Sequence, residues 1–399
     1  MHKALSACAL AAAGFAAGAA TSLTLVATAQ DAPQTVLTLP ELRRISEAIF
    51  VIRQNAVQEQ PDARMADGCI AGMARSADPD SDYYDAQAYR EFVIGSGGQG
   101  GLGMELRIRG QYPVVVAPLD DTPAARAGLR PGDVLMKIDE VQLGGMGLTE
   151  VTRRLRGAVR TQVKLTLRRD DSDTPVDLML TREIIRVRSV QARRLEGGLA
   201  YVRLGQFNEA TGRDLADALN RMVQEAPVAG LVLDLRRNPG GLLQTAVGVA
   251  AVFLPPDVRV LTMRGRASNV QSEYTTNPKD YLYRRGNDDF ARVSADMRKV
   301  PLAVLVDRGS AAGSEIVAGA FKDHKRAVVI GETTYGRGSI QTIFPLAGNA
   351  GLKLTTAEWA TPGGTVISRA GIEPDIRVAP GKPEDDQALA RAVAHLQGR

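Results

Sequence analysis

The stretch that most constrains this 399-residue chain runs from Pro301 to Gln341. Leu302 to Val306 is an apolar run of the length a buried strand needs, and the small residues from Asp307 to Gly313 break it with a turn. Ile316, Val317, Ala320 and Phe321 then share one stripe, which predicts a helix whose first turn carries Glu315, where the helix dipole favours an anion. Ala327 to Ile330 reads as a second strand. Strand, tight turn, helix and strand predict a right-handed crossover that brings Ser310 to Ser314 to the carboxyl end of a strand and the positive end of a helix. Nucleophiles are commonly mounted at such a turn.

The residues at that turn are Ser310, Ala311, Ala312, Gly313, Ser314, Glu315 and Ile316, and Tyr335 to Gln341 follow after the second strand. They resemble the Ser-Ala-Ser-Ala-Ser-Glu-Ile and Phe-Gly-Lys-Gly-Ser-x-Gln signatures of the carboxyl-terminal processing peptidases, also called tail-specific serine proteases. The resemblance implies a serine nucleophile at position 312 and a lysine general base at position 337. Here those positions hold Ala312 and Arg337. Alanine has no oxygen with which to attack a carbonyl, and arginine, with a pKa above ~12, cannot give up its proton at neutral pH as a desolvated lysine can. Covalent catalysis by the family's route is therefore closed. Gln341 matches the residue that in several relatives orients the lysine.

Two further segments carry the resemblance. Leu231 to Leu235 reads as a strand, followed by Arg236, Arg237, Asn238, Pro239, Gly240, Gly241 and a helix from Leu242. This is similar to the family's Asp-Leu-Arg-x-Asn-Pro-Gly-Gly segment, which implies that the amide of Gly241, partnered by that of Gly313, forms an oxyanion hole. A plain strand-to-helix turn is compatible with the same residues. Gly95 to Arg169 reads as a separate small domain. Gly101, Leu102, Gly103 and Met104 resemble the Gly-Leu-Gly-Phe loop of PDZ domains, and Pro123 to Val134 resembles their helix-turn-strand core. Amides of such a loop can close around a peptide's terminal carboxylate while a strand edge pairs with the peptide. The bound partners implied are protein or peptide C-termini; the alternative is a PDZ fold kept as a spacer.

Gly72 to Tyr84 resembles the Leu-Asp-Pro-His-Ser-x-Tyr stretch that precedes the PDZ domain in the family, which implies either a homodimer contact or an arm packed on its own subunit. Gly371 to Asp375 resembles Gly-Val-x-Pro-Asp. The fold class implied is α/β, with a mixed-sheet peptidase core of the tail-specific protease type, an inserted PDZ domain and an N-terminal helical segment. Periodicity alone gives a mixed α/β protein with a small inserted domain. The expected divisions are a signal peptide over residues 1–29, a helical segment over 30–94, the PDZ domain over 95–175, the peptidase-like core over 176–380 and a C-terminal helix over 381–399.

The signal peptide is read from His2 and Lys3, an Ala-rich apolar stretch to Val26, and Ala27, Thr28 and Ala29 before Gln30. It implies a periplasmic or secreted mature chain, with an uncleaved membrane anchor as the alternative. With 49 Lys and Arg against 45 Asp and Glu, nothing suggests a nucleic-acid surface. After cleavage Cys69 is the sole cysteine, so neither an intramolecular disulfide nor a cysteine metal site is expected. His324 and His395 fit no serine-protease triad. Gly331 to Gly338 imitates a phosphate loop but offers Arg337 and Gly338 where lysine and Ser or Thr are needed, so no nucleotide and no cofactor is expected. Thr262 to Arg292, polar and without periodicity, reads as a loop or lid over the cleft.

Two functions fit this reading. One is an exported, non-catalytic protein that captures tails through its PDZ domain. The other is an active serine endopeptidase with a displaced nucleophile, Ser310 or Ser314, and Lys322, Lys325 or water as base.

Overall fold

The computed structural model describes residues 37–94, 100–169, 174–185, 188–266, 273–282, 288–368, 370–380 and 386–398. The expected signal peptide and its cleavage site lie outside them. The described residues fall into two compact units, divided between Ala66 and Asp67. The first contains the helix Leu39–Asn55, opened by Thr38, whose amide and hydroxyl both donate to the Glu41 carboxylate. Leu42, Ile45, Ile49 and Ile52 recur along it at helical spacing, and none of its residues is buried. The helix Asp62–Ala77 follows.

In chain order the strands are β1 (Asp82–Tyr84), β2 (Met104–Arg109), β3 (Tyr112–Pro118), β4 (Val134–Ile138), β5 (Val141–Gln142), β6 (Gln162–Arg168), β7 (Val176–Thr181), β8 (Val190–Arg194), β9 (Leu199–Leu204), β10 (Gly230–Asp234), β11 (Arg259–Gly265), β12 (Glu273–Thr275), β13 (Leu302–Val306), β14 (Val328–Gly331), β15 (Ser339–Leu346), β16 (Ala350–Ala360) and β17 (Ile376–Arg377). They make three sheets. The central one has the order β17-β14-β13-β10-β9-β8 and is parallel apart from β8. All of β10 and β13 is buried, as expected of parallel strands covered on both faces. Ala200, Val202, Leu231, Leu233, Leu302 and Val304 point to one side, into a core shared with Leu219, Val247 and Phe321 of the helices Thr211–Glu225, Leu243–Phe253 and Gly313–Asp323. Leu199, Val232, Ala303 and Leu305 point to the other, against Ala392 and Leu396 of the helix Gln387–Gln397. The expected crossover is present: β13 and β14 pair in parallel, with Ala303 opposite Val328, and the helix Gly313–Asp323 joins them.

The second sheet, β1-β16-β11-β12 with β15 also on β16, lies beside this core. The third, β2-β3-β4-β6-β7, has its own apolar centre of Leu106, Val115, Leu135, Val151, Leu165 and Leu180. Since β7 pairs with β6 along its whole length, the sheet of the small domain continues to Thr181, past the division expected after residue 175. Thr262 to Arg292 also differs from a bare lid. Met263 to Gly265 pairs with β16, β12 pairs with β11, and Tyr281 and Phe290 are buried in the main core, packed edge to face at 5.6 Å. Two aromatic anchors hold the segment down, a signal too sparse to register as periodicity. Residues 267–272 and 283–287 of it lie outside the described residues. Within Thr361 to Ser368, Val366 bridges to Ala360.

Candidate active-site cleft

Two turns that are distant in sequence meet at the carboxyl ends of β10 and β13. Asn238, fully buried, joins them. Its side-chain amide donates to the Leu204 carbonyl and its Oδ1 accepts from the Gly240 amide, each at 2.9 Å, while its main-chain carbonyl accepts from Ala311 N at 2.9 Å and Ser314 Oγ at 2.8 Å. The contact is close enough to require glycine: a Cβ on Gly240 would lie 2.8 Å from Ala312 Cβ, and one on Gly241 would lie 2.0 Å from the Phe207 carbonyl oxygen.

Ala312 caps the helix Gly313–Asp323 with φ 47° and ψ −105°. This conformation suits glycine, and an L-residue held in it costs on the order of 1–3 kcal/mol. Glu315 fixes it. This carboxylate is fully buried and accepts four hydrogen bonds: from Ala312 N at 2.9 Å, Arg337 N at 2.9 Å, Gly336 N at 2.7 Å and Thr334 Oγ1 at 2.6 Å. Burial pushes its pKa up and the four donors pull against that. One side chain thus ties the nucleophile turn to the loop that carries the base position.

Arg337 and Gln341 are not hydrogen-bonded to each other. Its Nη1 donates to Glu105 Oε1 at 2.9 Å, an ion pair from the peptidase-like core to β2 of the small domain. Gln341 instead donates to Ser339 Oγ at 2.9 Å. Burial lowers the guanidinium's pKa, but the charge and hydrogen bond of Glu105 more than offset this, and it stays protonated. Nearby Lys353, on β16, has its pKa lowered by burial and by the charge of Arg337. Gly241, Ala312, Arg337, Gln341 and Glu105 line one cleft of about 350 Å³. Gly313 is not itself a lining residue, but its amide nitrogen adjoins one, since a Cβ on Gly240 would lie 2.9 Å from it.

The alternative nucleophiles are both buried and engaged. Ser310 Oγ donates to the Leu235 carbonyl at 2.8 Å and accepts from Asp307 N at 2.9 Å, and Ser314 Oγ donates to Asn238 O. Ser314 lies inside the helix at its second position; Ala312, not Ser314, is the cap. Of the bases considered with them, Lys322 bonds the Glu373 carbonyl and pairs with Asp375 at 3.0 Å. A larger cavity of about 420 Å³ lies at the strand ends around Tyr201, Asp234 and Asp307, away from Ala312. Its Arg203 and Arg236 are committed to Asp120, Asp234 and Asp386.

In the small domain, Leu102 is buried in the apolar centre and Gly103 has φ 75°, with a Cβ there 2.4 Å from Thr122. The Gly101 amide donates to the Glu183 carbonyl at 2.8 Å. What the loop can offer a ligand is the amides of Leu102 and Gly103, which have no acceptor among the described residues. The domain is held to the core by Asp80–Arg107, by Asp82 on the amide and hydroxyl of Thr149, by Asp120–Arg203 and by the Glu105–Arg337 pair. Sequence reasoning placed Glu315 without its clamp role and missed Glu105 and Asp120. Asn238 was visible within the Asn-Pro-Gly-Gly motif.

Comparison with known proteins agrees with this architecture. The profile of peptidase family S41 matches residues 198–378 and that of a PDZ domain matches residues 114–169. A carboxy-terminal-processing protease of Bartonella bacilliformis is 39% identical over 351 residues, which cover 87% of this chain and 77% of that protein. A probable CtpA-like serine protease of Staphylococcus haemolyticus is 31% identical over 343 residues, covering 85% of this chain and 65% of the relative. Among solved structures, the photosystem II D1 C-terminal processing protease superposes with a TM-score of 0.69 at 29% identity, over 86% of this chain and 90% of the other. With the Ala312 turn, the Pro-Gly-Gly turn and an inserted PDZ sheet around one cleft, the chain belongs to the carboxy-terminal-processing branch of peptidase family S41.

Proposed function

We propose that this chain is a non-catalytic member of its family that binds the C-terminal tails of proteins through its PDZ domain. The observation that carries the reading is the pair of substitutions seen together in the cleft: a methyl group at the turn where attack would begin, and at the base position a permanently charged guanidinium paired with Glu105. Ser310 and Ser314, which would have to replace the nucleophile, spend their hydroxyls on main-chain carbonyls inside the protein, which weighs against the displaced-nucleophile reading. Reaching a bound peptide would require remodelling far beyond the roughly 1 Å that effective attack tolerates. The PDZ loop's unspent amides supply the carboxylate contacts that a tail-binding domain needs. Export after Ala29, a homodimer built through the helical segment, and the absence of nucleotide binding belong to the same proposal. The test incubates the purified mature chain with unstructured polypeptides and follows both cleavage and binding. Binding of free-acid tails without cleavage supports the reading. Cleavage that disappears in Ser310→Ala or Ser314→Ala would replace it with the displaced nucleophile.

A further inference from the structure

We propose that the cleft around Ala312 is itself a carboxylate receptor, which holds the free terminal carboxylate of a bound polypeptide between the Arg337 guanidinium and the amides of Gly241 and Gly313. This rests on the non-catalytic reading, because a working peptidase would keep that space for a scissile carbonyl.

Three features of the cleft point to an anion of single charge. Of the five N–H donors of Arg337, only one on Nη1, to Glu105, has an acceptor among the described residues, so the others are unspent on a side chain that lines the cleft. The amides of Gly241 and Gly313 are likewise without acceptors there. The neighbouring bonds, Phe207 N to Gly240 O and Leu242 N to Phe207 O, pass Gly241 by. The two amides belong to turns in contact, since a Cβ on Gly240 would lie 2.9 Å from Gly313 N. The third feature is the methyl of Ala312, which puts no oxygen among these donors to compete for them.

The remaining lining sets the ligand's class. Glu105 is the only acid and Arg337 the only base among the lining residues, and Gln206, Leu242, Leu243, Gln244 and Ile340 are uncharged. The lining is therefore neutral overall, and Asp80 and Lys353, within electrostatic reach of Arg337, are of opposite charge. It can admit one negative charge by sharing Arg337, whereas a phosphate dianion would meet Glu105 with too little positive charge. The apolar walls suit a small or apolar last residue. The protein would then have two receptors for the same chemical group, one in the PDZ loop and one in the core.

The experiment is calorimetric titration of the full mature chain with N-acetylated hexa-alanine, as the free acid and as the C-terminal amide. One equivalent of free-acid binding should be lost, or weakened at least tenfold, in Arg337→Met, and the amide should not fill that site. Glu105→Gln breaks the same ion pair but keeps the guanidinium, so it should retain or tighten the site. If Arg337→Met binds the free acid with the stoichiometry and affinity of the wild type, the receptor is refuted. If Glu105→Gln loses the equivalent as well, the ion pair and not the receptor explains the loss, and the inference also falls. Mass spectrometry of the recovered peptide keeps the two proposals apart. Shortened peptide overturns the non-catalytic reading and the receptor with it, and intact peptide with no equivalent lost overturns the receptor alone.

Discussion

Restoring the two missing groups, Ala312→Ser with Arg337→Lys, is the direct way to ask whether the rest of the cleft still works. The structure adds a term that the motif does not contain. A lysine placed at 337 would come within reach of Glu105, which now lies 2.9 Å from the arginine. An opposite charge at such range raises a lysine's pKa by ~1–3 units. Glu105 is 39% exposed, so solvent screening holds the effect to the lower part of that range, about 1 to 2 units. Each unit is a tenfold loss of the neutral amine that can act as base. Removing Glu105 leaves Asp80, whose charge still favours the protonated form, and Lys353, whose charge favours the neutral form of its neighbour. The triple variant Ala312→Ser, Arg337→Lys, Glu105→Gln should therefore cleave an unstructured tail about 10- to 100-fold faster than the double variant at pH 7. Its rate should rise with pH at a correspondingly lower pH, since the base works only once deprotonated. The assay is release of a fluorogenic tail fragment, measured from pH 6 to pH 10. Equal rates and superimposed pH profiles for the double and triple variants would show that Glu105 does not control the base position, and the electrostatic reasoning would be wrong.

Three further outcomes are expected. Glu315→Gln exchanges one carboxylate oxygen for an NH2 group that faces two of the four donors; at ~1–3 kcal/mol per stranded donor, less the relief of burying no charge, unfolding in urea should show a loss of about 2–4 kcal/mol, and a loss below ~1 kcal/mol would remove Glu315 as the clamp between the turns. Ala312→Gly relieves the positive φ at the cost of a freer unfolded chain, so stability should be unchanged or higher by up to ~1 kcal/mol; a comparable loss would mean that the methyl's packing outweighs the strain. Secreted material should begin at Gln30 by intact mass, and a chain still starting at Met1 in the membrane fraction would favour the anchor.

The local units of the site were legible in the sequence because each is written in contiguous residues. The strand at Leu302–Val306, the small-residue turn and the helical stripe of Ile316, Val317, Ala320 and Phe321 are set by period and composition. The Asn-Pro-Gly-Gly turn is set by positions that admit no Cβ. What escaped are contacts that cross from one unit to another. Glu105 and Arg337 are separated by most of the chain, and neither residue's neighbours signal the pair. Glu315 looked like a first-turn acid favoured by the helix dipole, yet three of its four bonds go to the loop from Thr334 to Arg337. Gln341 is a different case: its motif place implied that it would orient a lysine at 337, and here its Nε2 donates to Ser339 while both residues line the same cleft. The three residues of β1 are too few to show alternation, and their place beside β16 is decided by tertiary pairing.

The backbone at residue 312 is shaped by its surroundings and not by its side chain. Glu315, Asn238 and the two glycines hold the turn in place around a residue that contributes only a methyl group. Such a frame behaves as a fixed socket: a side chain differing by one heavy atom can be exchanged at Cβ and presented at the same point, with no loop to rebuild. A cysteine introduced there would stand at the end of a helix and beside a permanent cation, surroundings that favour the thiolate. Its alkylation rate above the thiol's pKa would then report how open the cleft is, without any need for the protein to turn over a substrate.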